Sequence, residues 1–216
     1  ATLRIDFMGN GDSTASYRDY NYTSAVIDAK AAADYLAGLE TVDSGNLGVM
    51  GWSQGGTDAL LAAEAHPDTF QAVVTWSGAL ELNGASLFAG TSFEDAYAQA
   101  KKEGFYTMTF DWREPLELGE RWFQEVAETN ILKVTADIKA PILAINGKDD
   151  TTVTPDNAEK IVKAAANADS QLLLVDNCDH TYNVFSGDFT ALYQTVDATA
   201  AFFQAQLIPA AAQAAA

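Results

Sequence analysis

The sequence predicts an α/β fold with a mostly parallel sheet flanked by helices. Three observations predict it. Short apolar runs alternate with segments of helical period near both ends of the chain. Polar, glycine-bearing turns follow several of those runs. A longer aromatic-rich stretch interrupts the alternation once, in the middle, as an insertion would.

The elements follow in order. Leu3-Arg4-Ile5-Asp6-Phe7 alternates apolar and polar and reads as a strand, followed by turn residues from Met8 to Ser13. Val26, Ala29, Ala33 and Leu36 recur at spacings of three and four, which predicts a helix over residues 23–39. Residues 46–50 read as a strand. Residues 53–64 read as a helix ended by His66-Pro67, and 72–76 as the next strand. Strand–helix alternation returns with a buried-type strand at 141–145. A helix at 155–165 opens on proline, then comes a strand at 171–175 and a last helix at 189–206. The expected organisation is a core of residues 1–80 and 140–208, an inserted lid at 81–139 and a low-complexity tail at 209–216.

Bulk properties exclude several classes. The chain has 216 residues, 48% of them hydrophobic and 11% aromatic, enough for one sizeable buried core. Its apolar runs fall short of a membrane span, and no signal peptide is visible. It opens on Ala1 rather than methionine, so an upstream segment is expected. The net charge of −18, from 30 acidic and 12 basic residues, argues against nucleic acid and anionic membrane surfaces as partners. One cysteine, Cys178, and two histidines, His66 and His180, argue against an intrachain disulfide and against a metal site.

Gly51-Trp52-Ser53-Gln54-Gly55-Gly56 lies between a strand-like and a helix-like run. Gly-x-Ser-x-Gly alone is a modest signal, expected by chance in roughly one chain in twenty of this length. Its setting sharpens it. A nucleophilic serine needs a tight strand-to-helix turn, with glycines where backbone passes close and a helix N-terminus where an oxyanion develops. Ser53 also needs a base. His66 lies at the far end of the helix that starts at Ser53, roughly 20 Å away at about 1.5 Å per residue. His180, in a polar loop after the strand at 171–175, remains by elimination. A carboxylate must orient that histidine. Asp149 and Asp150 both follow the strand at 141–145, and Asp150 is favoured; Asp179 is too near His180 in sequence.

These residues carry a resemblance. The order Ser53, Asp150, His180 is that of α/β-hydrolases. Asp6-Phe7-Met8-Gly9-Asn10-Gly11-Asp12-Ser13 resembles the family's D-F-x-G-x-G-x-S segment. The stretch around Ser53 resembles its nucleophile elbow. Gly147 to Val153 is similar to its acid loop, whose aspartate falls on Asp150, and Asp179-His180-Thr181-Tyr182 to its histidine loop. Position and aromatic content of the insertion make the chain most similar to bacterial cinnamoyl (feruloyl) esterases. One departure stands out. The family carries about three more strands before the first of these segments, the third bearing an H-G motif that this chain lacks. That strand would lie between residues 3–7 and 46–50, so an upstream segment or a separate chain is expected to complete the sheet.

The resemblance implies a carboxylic ester hydrolase that uses no cofactor or metal. Ser53 would be the nucleophile, His180 the base and Asp150 its orienter. The backbone N–H of Gln54 would be one oxyanion donor, and the absent loop would supply the other. Trp52, Phe110 and Trp112 are the candidate substrate contacts. The expected partners are a small-molecule ester and, for assembly, a second copy in a homo-oligomer. The compartment stays open between cytoplasmic and secreted. Two rival readings are a peptidase of the prolyl-oligopeptidase type and a non-catalytic binding protein on the same fold.

Overall fold

Apolar runs make the main sheet. Its strands are β1 (Leu47–Trp52), β2 (Phe70–Trp76), β5 (Ile142–Gly147) and β6 (Gln171–Val175). Between them in sequence lie the shorter β3 (Phe105–Met108) and β4 (Leu116–Gly119). The computed structural model describes residues 1–84, 87–88, 90–110 and 113–208. The main sheet has the order β1-β2-β5-β6, and every pairing in it is parallel. Val49 pairs with Val73, Val74 with Leu143, and Ile145 with Leu173. The two inner strands are covered on both faces, so nearly all their residues are buried. This is why their sequences read as continuous apolar runs rather than as alternation.

The helices are α1 (Tyr22–Ala37), α2 (Gln54–Ala65), α3 (Phe93–Glu103), α4 (Glu120–Glu128), α5 (Ile131–Asp137), α6 (Asp156–Ala164) and α7 (Thr190–Leu207). The chain divides into two compact units. The larger comprises Ala33–Leu80 and Ile131–Ala216 and contains the whole main sheet. One sheet face packs on α7: Ala72, Val74, Leu143, Ile145 and Val175 form a core with Cys178, Tyr182, Ala191 and Phe202. Strand alternation turns Val73, Thr75, Ile142 and Ala144 to the opposite face, and all four are fully buried. Helix α2 packs on β1 and β2, α6 packs on β5 and β6, and α5 lies against both helices. Helix α2 stops at His66, whose backbone N–H donates to the Ala62 carbonyl, because Pro67 cannot continue it.

The smaller unit comprises Ala1–Ala32 and Glu81–Asn130. Helix α3 is capped by the Ser92 hydroxyl, which accepts from the Asp95 N–H, and it ends on left-handed Gly104 at φ 85°. An antiparallel hairpin of β3 and β4 follows, then α4. Phe88, Trp122 and Phe123 are buried there, with Tyr97 stacked on Phe123 and Phe93 tilted against it. Most of the insertion's aromatics thus form that unit's own core.

Three expectations change. Residues 3–7 form no strand, and Leu3 is 39% exposed. Their alternation is strand-like, but a strand persists only where a neighbour accepts its backbone hydrogen bonds. The insertion ends at Asn130 rather than 139, because α5 belongs with α2 and α6, and residues 1–32 group with the insertion. The insertion also holds regular elements that its sequence hid, since four-residue strands show too little period to read. The tail at 209–216 and Trp112 lie outside the described residues.

Among the described residues β1 pairs on one side only, with β2. Met50 and Trp52 are 45% and 47% exposed.

Ile145, fully buried at the sheet centre, supplies a direct test of this packing. Ile145→Ala should lower unfolding free energy by about 2–5 kcal/mol in urea titration. A loss under about 1 kcal/mol would contradict the core described above.

Candidate active site

The sharp turn after β1 is built by close backbone passage. A Cβ on Gly51 would lie 1.8 Å from the Gly55 carbonyl oxygen, so only glycine fits there. The chain enters the turn along β1 and leaves it as α2, with Ser53 between at φ 56°, ψ −122°. A non-glycine residue at positive φ costs of order 1–3 kcal/mol. Three backbone hydrogen bonds hold it. The Ser53 N–H donates to Trp76 O at 2.8 Å, and Ser53 O accepts from Gly56 N–H at 2.9 Å and Ala79 N–H at 3.3 Å. The end of β2 therefore pins the turn, and Gln54 opens the helix next to the serine.

The loop after β5 supplies Asp150. Its Oδ1 accepts from the backbone N–H groups of Thr152 at 2.9 Å and Val153 at 2.8 Å. Its Oδ2 accepts from His180 Nδ1 at 2.8 Å and from Asn146 Nδ2 at 3.4 Å. The Asp150 side chain is fully buried. Burial pushes its carboxyl up, but hydrogen bonds from His180, the Val153 backbone and Ser77, with the attraction of the His180 ring, outweigh that and hold it below the usual carboxylate range. Asp149 is exposed, and its backbone N–H donates to Cys178 O at 3.0 Å. Of the adjacent pair, Asp150 is the one brought to His180.

The loop after β6 supplies His180. Its Nε2 lies 3.1 Å from Ser53 Oγ, and its side chain is 16% exposed. A neutral ring with its proton on Nδ1 donates to Asp150 and accepts from the Ser53 hydroxyl, so the three groups form one directed chain. The loop is internally braced. Asp179 Oδ1 accepts from the N–H groups of Thr181 and Asn183 and from the Thr181 hydroxyl. Asn183 Nδ2 returns a bond to Asn177 O at 2.6 Å. Asn177, Tyr182 and Asn183 all sit at positive φ, so this turn is tightly wound. A Cβ on Gly147 would lie 2.1 Å from the Cys178 carbonyl oxygen, so the acid loop and the histidine loop meet only because that position is bare.

The other expected residues fall as follows. Trp52 donates its indole N–H to the His180 carbonyl at 2.9 Å. Phe110 is half-buried in the smaller unit, with the Arg113 guanidinium 5.7 Å from its ring centroid. Sequence reasoning missed Ser77, Tyr182 and Asn146. Ser77 is fully buried at φ 46°, its Oγ 3.3 Å from the Tyr182 hydroxyl. Tyr182 donates to Ile145 O at 3.3 Å. The only sequence signal for them was position: Asn146 and Ser77 stand at, or just past, the carboxyl end of a sheet strand, and Tyr182 lies in the loop that follows β6. Among the described residues no cluster of ligating side chains could hold a metal ion.

A parallel sheet between helix layers, a strained serine after a strand, and acid and histidine loops at neighbouring strand ends define the α/β-hydrolase fold. Solved structures agree. The chain superimposes on Est1E from Butyrivibrio proteoclasticus bound to ferulic acid with a TM-score of 0.75 at 20% identity, covering 94% of this chain and 76% of that one. It superimposes on the α/β-hydrolase GrgF from Penicillium sp. sh18 with a TM-score of 0.73 at 14% identity, covering 94% and 78%. The profile of the prolyl oligopeptidase family matches residues 2–208, and the chain belongs to that family. It is also 25% identical over 196 residues to the serine hydrolase BPHL of Homo sapiens, a match spanning 87% of this chain and 66% of that protein, just under two thirds.

Cys178 is fully buried beside this site. Burial, with the nearby Asp179, Asp150 and Asp149 carboxylates, pushes its thiol up to about 11. The thiolate is the reactive form. In the folded protein at about pH 8 Cys178 should therefore resist a disulfide reagent, and react once denatured. Rapid reaction of the folded protein would contradict its placement.

Proposed function

We propose that the chain is a serine hydrolase that cleaves carboxylic esters, with small aryl or hydroxycinnamoyl (feruloyl-type) esters as its substrate class. The observation that carries this is the hydrogen-bonded chain Asp150–His180–Ser53, at 2.8 Å and 3.1 Å. In the proposed reaction Ser53 Oγ attacks the ester carbonyl carbon while its proton passes to His180 Nε2. Asp150 holds the ring in register and balances the positive charge that develops on it. The oxyanion forms beside the start of α2, where the Gln54 N–H is the proposed first donor. Collapse expels the alcohol, which takes the proton from Nε2, and water then hydrolyses the acyl-serine by the same steps reversed. These steps use no cofactor.

The substrate class rests on the ferulic-acid complex of Est1E and on the aromatic content of the insertion, which we read as a lid. Phe110 and Trp112 are its proposed substrate contacts. Among the described residues one side of β1 is unpaired, which supports a further reading, that an upstream segment or a separate chain adds a strand there and brings the second oxyanion donor. One rival reading is cleavage of a peptide bond by the same serine, the activity that the family's description names.

A fluorophosphonate probe should label the full-length protein at Ser53 and fail to label Ser53→Ala. The labelled enzyme's native form should hydrolyse aryl esters well ahead of dipeptide amides. Faster amide cleavage would favour the peptidase reading. No labelling of a folded protein would favour a non-catalytic binding protein.

A further inference from the structure

The sheet order raises a problem of reach. Ser53 follows β1 and His180 follows β6, at opposite ends of the four strands. Neighbouring strands lie about 4.8 Å apart, so the histidine loop must cross roughly 14 Å of sheet. It is held at each strand on the way. Over β5, the Cys178 carbonyl accepts from the Asp149 N–H, and the Tyr182 hydroxyl donates to Ile145 O. Over β2, the Tyr182 ring packs on Trp76 with centroids 5.0 Å apart. At β1 the contact falls to Trp52. Its Nε1–H donates to the His180 carbonyl at 2.9 Å, and its indole lies 5.2 Å from the imidazole, tilted by 38°.

Resting on the ester-hydrolase reading above, we propose that Trp52 is a positioning residue that sets the His180 imidazole against Ser53. The side chain is built for this. Trp52 immediately precedes Ser53, so base and nucleophile share one bracket at the end of β1. Its one polar atom is spent on the His180 backbone. The hydrogen bond fixes how far the loop reaches, and the ring face limits rotation of the imidazole. Asp150 holds the far nitrogen, so His180 is gripped from two sides. Under this proposal Trp52 acts through His180.

Two variants separate the roles. Trp52→Phe keeps an aromatic face and loses the N–H; Trp52→Ala loses both. Trp52→Phe should lower kcat on an aryl ester, and the rate of fluorophosphonate labelling, about tenfold, with KM within about twofold. Trp52→Ala should lower both rates about a hundredfold with thermal stability retained. The chain has two histidines, so proton NMR reads His180 with His66 as an internal reference. In Trp52→Ala the His180 ring resonances should broaden while those of His66 stay put. Wild-type rates in both variants, or a raised KM at unchanged kcat, would overturn the proposal. Unchanged His180 resonances in Trp52→Ala would overturn it too, even if wild-type protein proves unlabelled, a result that would sink the ester-hydrolase reading instead.

Discussion

The structure turns on one backbone constraint, the left-handed conformation of Ser53. At φ 56° the chain reverses from strand to helix within a single residue and projects the hydroxyl from the turn. That conformation is costly for a serine and persists because its surroundings overdetermine it. Gly51 lets the incoming strand touch the carbonyl of Gly55, and Gly56 comes close to Gly78 beyond β2. The β2 end meanwhile exchanges two hydrogen bonds with Ser53 itself. Local strain at the serine is thus offset by the ladder of the parallel sheet, and loosening that ladder would relax the turn first.

The rest of the site follows from the polarity of a parallel sheet. All its strands end at the same edge, so loops from β1, β5 and β6 emerge together although residues 53, 150 and 180 are far apart in sequence. Short reach suffices for Asp150, which an Asx-type turn anchors to the backbone of Thr152 and Val153. Long reach is needed for His180, and its loop carries three positive-φ residues and a dense set of internal hydrogen bonds. A buried carboxylate with several donors is also a rigid one, so the imidazole it holds has one preferred plane.

The parts legible in the sequence were those set by local pattern. The strand at 171–175 is legible with its observed bounds, and the strands before Ser53 and Asp150 to within one or two residues, because apolar runs bounded by polar turn residues or glycine carry a strong signal. That Ser53, Asp150 and His180 would come together was legible because so few histidines compete and because each follows a strand. Residues 3–7 misled because alternation reports compatibility with a sheet, not the presence of a neighbour. Ser77 and Tyr182 carried no signal beyond position, and the indole bond of Trp52 carried none. Their partners are tertiary, in two cases more than a hundred residues away, and no local period encodes such a contact.

The central claim is that the Asp150–His180–Ser53 chain makes Ser53 a nucleophile. Trapping the covalent intermediate tests it most directly. An activated aryl ester that acylates quickly and deacylates slowly should leave the full-length protein heavier by one acyl group, carried on the peptide containing Ser53. The adduct should not form in His180→Ala. An acyl group on another residue, or turnover of the ester with Ser53 left unmodified at every stage, would contradict the account.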